Sequence, residues 1–222
     1  NKGYMVFGAN GRIMITPDAL EQGGVYWYSR SVSGAVSAVA PTTNGNFYVG
    51  TSNGNLYHVT GIRTATYNRQ NNTATGITVT QLRSSSQWPN TNNARYVSSI
   101  GVDPQNEGHI VVTFGGYGLS NNVFVSDDAL AGSPVFRSAQ GDLPNMPVYS
   151  SVIDKYNPSN FIVGTDFGLW SSTDAGVTWT QELNGIYNTP VYGLHQQPLY
   201  SEDCYVLYVA TYGRGMFRST TL

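Results

Sequence analysis

The stretch Phe161-Ile-Val-Gly-Thr-Asp-Phe-Gly168-Leu-Trp-Ser-Ser172-Thr-Asp174-Ala-Gly176-Val-Thr178-Trp179 decides how the rest of the chain reads. A β-branched run ends at a Gly-Thr-Asp-Phe-Gly turn, a second short apolar run follows, and Ser-x-Asp-x-Gly-x-Thr-Trp closes the segment. Short apolar runs bounded by glycine turns are strand signals. In the closing turn the Asp174 carboxylate is placed to accept backbone N–H bonds, Gly176 takes positive φ without penalty, and Trp179 offers a large ring to pack between sheets.

The grammar recurs along the chain. The copies are Val36-Ser-Ala-Val…Asn46-Phe-Tyr-Val-Gly50-Thr-Ser-Asn-Gly54, Val97-Ser-Ser-Ile…His109-Ile-Val-Val-Thr-Phe-Gly-Gly-Tyr117-Gly118, Val148-Tyr-Ser-Ser…Trp170, and Val191-Tyr-Gly-Leu…Tyr205-Val-Leu-Tyr-Val-Ala-Thr-Tyr212-Gly-Arg214-Gly215. Each is strand, turn, strand, glycine turn, strand. Counted between Val36, Val97, Val148 and Val191, the offsets are 61, 51 and 43 residues, close to the roughly 40–50 residues of a four-stranded propeller blade. The long first interval has a cause. Residues 61–95 carry the polar runs Gln70-Asn-Asn-Thr-Ala-Thr75 and Arg83-Ser-Ser-Ser-Gln87, an insertion expected in the outer strand and the loop after it. Alternations such as Ile77-Thr-Val-Thr80 have period two and no clean helical stripe is found, so the expected class is all-β.

With strands lettered A to D from the axis outward, the expectation is a β-propeller of four-stranded antiparallel blades, about five of them represented. A partial blade covers 1–33, three blades cover 34–95, 96–146 and 147–189, and a partial one covers 190–222. In the first, Met5-Val-Phe-Gly8 and Gly11-Arg-Ile-Met-Ile-Thr16 are expected as strands B and C, and Val25-Tyr-Trp-Tyr28 as D. The two ends then supply overlapping strands, which points to a larger ring completed by further blades or by a partner chain.

Composition narrows the function classes. Among 222 residues, 11 Lys and Arg face 13 Asp and Glu, and charged residues make up 11%, where about 25% is usual. Without a basic stripe there is nothing to neutralise a run of phosphates, and nucleic acid is excluded as a partner. No apolar run approaches the roughly 20 residues of a helical membrane span. Tyrosine, at 16 residues, takes the place of charge. The single cysteine, Cys204, adjoins an apolar run and is expected as a buried, inert thiol.

Eroded versions of the closing turn stand at equivalent points of other copies, Thr16-Pro-Asp18 and Ser126-Asp-Asp128-Ala-Leu-Ala-Gly132. Together with Ser172, Asp174, Gly176, Thr178 and Trp179 they resemble the BNR or Asp-box repeat family, the β-propellers related to sialidases, sortilin-type receptors and xyloglucanase-like glycoside hydrolases. Asp142-Leu-Pro-Asn-Met-Pro-Val148 and Ala210-Thr-Tyr-Gly-Arg-Gly-Met-Phe217 make the likeness closest to propeller modules of large secreted bacterial proteins. The resemblance implies an extracellular or cell-surface module and structural work for the turn residues. It does not imply a function, because one fold serves many. The sequon Asn71-Asn-Thr73 agrees weakly with secretion.

Gly50-Thr-Ser52-Asn-Gly54 matches the nucleophile elbow of hydrolases, but a strand follows where that motif requires a helix. His58, His109 and His195 are far apart, and no metal-ligand spacing is present, so neither metal nor cofactor is expected, with only a loop-bound Ca²⁺ left open. A glycosidase needs two carboxyl groups within about 5–10 Å of each other. In a propeller Asp18, Asp127, Asp128 and Asp174 fall on C–D turns and Asp103, Asp154, Glu202 and Asp203 beside A–B turns, all at one end. Asp166 and Asp142 are left for the other end. Asp166 is therefore the candidate acid of the alternative reading, a xyloglucanase-like hydrolase sharing its acids with other blades.

That second end also collects Asn53, Tyr117, Asp166, Tyr212 and Arg214 from B–C turns, with Trp88, Asn145 and Tyr187 from D–A loops. Rings beside amides and a charge suit a glycan or protein ligand. The plainer alternative, turn residues covering the channel wall, stands beside it. Arg214, bracketed by Gly213 and Gly215, is expected to bond an adjacent carbonyl. The function expected is a non-catalytic recognition or scaffold module.

Overall fold

The computed structural model describes residues 3–21, 24–89, 95–198 and 205–220, so Glu202, Asp203 and Cys204 lie outside the described residues. The chain divides into two compact units, Asn1–Val97 and Ser98–Leu222. The fold is all-β, and the described residues include no α-helix.

In the first unit β1 (Met5–Thr16), β2 (Tyr28–Pro41), β3 (Phe47–Thr51), β4 (Leu56–Thr60) and β7 (Thr78–Arg83) form one sheet in that order. Between β4 and β7 the polar insertion folds as a separate small hairpin of β5 (Thr66–Asn68) and β6 (Thr73–Thr75). Ile13, Ile15, Phe47, Val49 and Val59 form the core. One expectation fails here. Strands B and C were expected over Met5–Thr16 with a glycine turn between them, but β1 is a single strand paired to β2. Gly11, at φ +67°, marks a bulge in that pairing rather than a turn. Of the D strand expected over Val25–Tyr28 only Tyr28 is in a strand, and β2 runs on through the boundary expected at 33/34.

The second unit holds three antiparallel sheets in which neighbours in sequence are neighbours in space. The strands are β8 (Val97–Val102, whose first residue is counted with the first unit), β9 (Ile110–Phe114), β10 (Val123–Ser126) and β11 (Arg137–Ser138); β12 (Val148–Ile153), β13 (Phe161–Thr165), β14 (Gly168–Ser172) and β15 (Thr180–Glu182); and β16 (Val191–Pro198), β17 (Tyr205–Thr211) and β18 (Met216–Ser219). These are the A–B–C–D order expected of the repeat, with three strands in the last sheet among the described residues.

Successive copies pack by one recurring device. A Cβ on Gly8 would lie 2.2 Å from Val36, on Gly50 2.3 Å from Val97, and on Gly164 2.5 Å from Val191. The missing side chain admits the first valine of the following copy, so the alignment of Gly8 with the other two is sound although its turn is not. In the second unit Val111, Val123 and Val125 of one sheet meet Val148, Ile153, Phe161 and Val163 of the next. Trp179 lies among them at 6% exposure, its indole N–H donating to the Ala139 carbonyl at 3.1 Å.

The A–B pairing carries a bulge at the same place in three copies. Val36 faces Thr51 but Ala38 faces Gly50; Val148 faces Thr165 but Ser150 faces Gly164; Val191 faces Thr211 but Gly193 faces Ala210. The extra residues are Ser37, Tyr149 and Tyr192. A bulge re-aims the side chain it carries, and these three positions border the B–C turns.

Candidate functional site

Asp103, Asp128, Asp154 and Asp174, on the A–B and C–D turns of the second unit, each accept at least one backbone N–H. Asp174 Oδ1 accepts from the N–H of Val177 at 3.0 Å, the N–H of Thr178 at 2.9 Å and Ser172 Oγ at 2.8 Å, while Oδ2 accepts from Thr178 Oγ1 at 2.6 Å. Those bonds, the Thr178 hydroxyl first, pull the Asp174 pKa down from 3.8 to about 2. Gly176, at φ +83°, sits where a Cβ would meet Ala139 at 2.6 Å. The eroded turn keeps part of this: Asp128 Oδ1 accepts from Ser126 Oγ at 3.0 Å and from the Val135 N–H at 2.8 Å. His109 lies between Asp103 at 3.2 Å and Asp127 at 3.4 Å, so these A–B and C–D acids share an end, as expected. In the first unit Asp18 is buried, its N–H bonded to Thr16 Oγ1 at 3.1 Å and its carboxylate 3.0 Å from Arg69.

The B–C turns are built by a threonine that closes each loop. Thr165 and Thr211 donate their hydroxyls to the carbonyls of Gly168 and Gly215 at 2.8 and 2.7 Å, and Thr51 Oγ1 accepts the Asn55 N–H at 3.1 Å across the same turn. The next residue donates its N–H to the carbonyl of the residue before the copy's first valine: Ser52 to Ala35, Asp166 to Pro147, Tyr212 to Pro190. Backbone therefore fixes where Asp166 and Tyr212 stand, whatever their side chains do.

Around Asp166 the second unit gathers tyrosines. Tyr149 Oη donates to Asp166 Oδ1 at 3.1 Å, and Tyr117 Oη donates to Oδ2 in a short hydrogen bond. Tyr149 stacks on Tyr192 with centroids 4.5 Å apart, and Tyr192 meets Tyr212 at 6.0 Å with planes inclined by 68°. Tyr117, Tyr192 and Tyr212 are 71%, 53% and 73% exposed, while Tyr149 and Asp166 are half-buried. The hydrogen bond to Asp166 raises the Tyr117 pKa, and burial followed by that same carboxylate raises Tyr149's. Both phenols therefore remain protonated donors and Asp166 remains their acceptor.

Of the residues singled out in the sequence, Tyr117, Asp166 and Tyr212 belong to this cluster. Arg214 and Tyr187 form a pair of their own, the guanidinium 5.3 Å over the ring and Nη1 donating to the Gly185 carbonyl at 3.5 Å. In the first unit Asn53 accepts the Thr51 hydroxyl at 2.6 Å, and Trp88 is 2% exposed with its indole N–H on the Gly54 carbonyl at 2.7 Å. The faces expected to be offered by Trp88 are covered, and the ring braces its own B–C turn. Asp142 also differs from expectation: its carboxylate accepts the Trp179 N–H at 2.7 Å and so serves the C–D turn of the following sheet. Tyr149 and Tyr192 were not singled out. Their signal is the Val-Tyr pair that opens strand A in two copies where the earlier two have Val-Ser.

The serine versions show what the position does without a ring. Ser37 Oγ donates to the Val97 carbonyl at 2.7 Å and Ser98 Oγ to the Val148 carbonyl at 2.5 Å, each tying one copy to the first valine of the next. No group of three or more His, Cys, Asp or Glu side chains suited to a metal occurs among the described residues, and no described helix is long and apolar enough to cross a membrane.

No family model and no curated protein matches the chain by sequence. Solved structures do match by shape. YCF48 from Cyanidioschyzon merolae, a protein also solved bound to D1 peptide, aligns over 97% of this chain and 62% of its own at 14% identity and a TM-score of 0.60. The Myceliophteria thermophila Cps50 (Swd1) β-propeller domain aligns over 94% and 58% at 13% identity and a TM-score of 0.60. A Niastella koreensis GH74 enzyme aligns over 84% and 28% at 21% identity and a TM-score of 0.53. The chain spans less than two thirds of each of these proteins. At such identities the likeness is one of fold, and the fold is that of a β-propeller.

Proposed function

We propose that this chain is a recognition or scaffold module, an Asp-box type propeller segment of a secreted or cell-surface protein, that binds a glycan or protein through the B–C turns of its second unit. The observation that carries the reading is the grouping of three exposed tyrosines, Tyr117, Tyr192 and Tyr212, with one acid, Asp166, where the turn backbone at Asp166 and Tyr212 is fixed independently of their side chains. Exposed rings with a few convergent polar groups are what a binding surface requires. Membership of the Asp-box family is supported by the bonds that Asp174 makes to Ser172, Val177 and Thr178, and by their partial repeat at Ser126 and Asp128. The extracellular setting rests on the same resemblance.

A hydrolase needs a second carboxyl group near the first. Asp142, the other acid expected at this end, is committed to the Trp179 backbone. The test applies the 222-residue chain to a glycan array and to immobilised peptides, and in parallel to xyloglucan with assay of reducing ends. Binding that is lost in the Tyr117→Ala/Tyr212→Ala double variant, with no sugar released, is the expected result. Release of reducing ends that disappears in Asp166→Asn would replace this reading with the xyloglucanase-like one.

A further inference from the structure

The charge balance of the tyrosine cluster says more about what it takes. Asp166 keeps both oxygens on phenol donors and has no Lys, Arg or His within ion-pair distance among the described residues. The cation nearest in sequence on these turns, Arg214, is turned to the Tyr187 ring and the Gly185 carbonyl. Two phenol hydrogen bonds leave a carboxylate its full negative charge and free lone pairs. The rings beside it add the negative potential of their faces, which attracts cations and not anions.

Ring geometry separates the possible ligands further. A pyranose stacks on one flat, open face. Here Tyr149 and Tyr192 spend a face each on one another, and Tyr212 stands at 68° to Tyr192, so the rings form a corner that is joined to the acid through Tyr149. A corner of aromatic faces closed by a carboxylate suits a compact cation on a flexible stem.

We propose that Asp166 with Tyr117, Tyr149, Tyr192 and Tyr212 receives the side chain of a lysine or arginine carried by a partner polypeptide. The inference rests on the recognition reading and narrows its ligand to a cationic segment of protein. The phenols position Asp166, Asp166 supplies the charge, and Tyr192 and Tyr212 flank the incoming stem. The backbone bonds of Asp166 to Pro147 and of Tyr212 to Pro190 fix where the acid and one wall of the corner stand.

The test titrates the 222-residue chain with capped Gly-Lys-Gly, Gly-Arg-Gly and Gly-Gln-Gly peptides, with tetramethylammonium ion and with cello-oligosaccharide, following tyrosine ring resonances by NMR. A cationic peptide is expected to bind about tenfold more tightly than the Gln peptide, and Asp166→Asn, which keeps one of the two acceptor oxygens and removes the charge, is expected to erase that advantage. Tyr192→Ala should lower affinity for the cationic peptides without affecting folding, as read from the unchanged remainder of the spectrum. Equal binding of the Gln and Lys peptides, absence of binding by any cationic peptide, or an advantage that survives Asp166→Asn would overturn the proposal. Tetramethylammonium binding as tightly as the cationic peptides would overturn its assignment to a polypeptide. Tight, charge-independent binding of the oligosaccharide would sink the proposal while leaving the recognition reading standing; sugar release from xyloglucan would remove that reading as well.

Discussion

The two ends of the sheets in the second unit use the same side chain for opposite purposes. At the C–D and A–B end Asp103, Asp128, Asp154 and Asp174 each accept at least one backbone N–H within their own turn. At the B–C end Asp166 accepts only phenol hydroxyls, and it is the turn's backbone, through the bond from its own N–H to Pro147, that needs no help from the carboxylate. A carboxylate given to main-chain donors holds a loop in place. One given to phenols holds the phenols in place. The position after the first valine repeats the lesson, since Ser37 and Ser98 tie neighbouring copies together where Tyr149 and Tyr192 present rings that stack on one another.

The strongest way to break this contrast is at the structural end. Trp179→Ala removes the ring between two sheets and should cost about 3–5 kcal/mol in chemical denaturation followed by circular dichroism. A loss near zero would mean that the turn does not anchor the packing. Next in size, Gly164→Ala places a Cβ 2.4 Å from Ser150 Oγ and 2.5 Å from Val191 Cγ1. Overpacking there should lower stability by about 1–3 kcal/mol in the same assay. A neutral result would show that the strand-B glycines are not required for copies to approach.

A smaller effect follows from Asp174, whose folded pKa of about 2 lies below the unfolded value near 3.8. A depressed carboxylate stabilises the fold above the unfolded pKa and loses that contribution as pH falls through the folded one. The gap in thermal midpoint between the natural chain and Asp174→Asn should be constant near neutral pH and close as pH drops from about 4 toward 2. A gap that does not change with pH would show that the ionised form is not what the turn uses. Smallest of all, Asp166→Asn should leave stability within about 0.5 kcal/mol of the natural chain, although it is expected to remove cation binding. A large destabilisation would erase the distinction between the two ends.

Much of the fold was legible in the chain before any coordinates. The period of the valines, the glycine turns and the Ser172–Trp179 motif carry local information, because turn chemistry and strand alternation are set by neighbours in sequence. Asp174 and Trp179 bond as their local pattern suggests. Met5–Thr16 did not, since Gly8 and Gly11 permit either a turn or a bulged strand and pairing with β2 selects the latter. Trp88 and Asp142 were misplaced for a related reason: an outer-strand loop has no local signal for whether it faces solvent, its own turn or the next sheet.

The repeat, the all-β class and the turn residues were thus determined by the sequence itself, through interactions spanning a few residues. Which phenols meet Asp166 was decided only in three dimensions. Tyr117 reaches Asp166 from another copy and Tyr149 from its own, while Tyr192 of a third copy stacks on Tyr149; both stacked rings stand at a one-residue bulge in the ladder, invisible without knowing which strand pairs with which. Register is a property of two strands together, so no single segment can specify it.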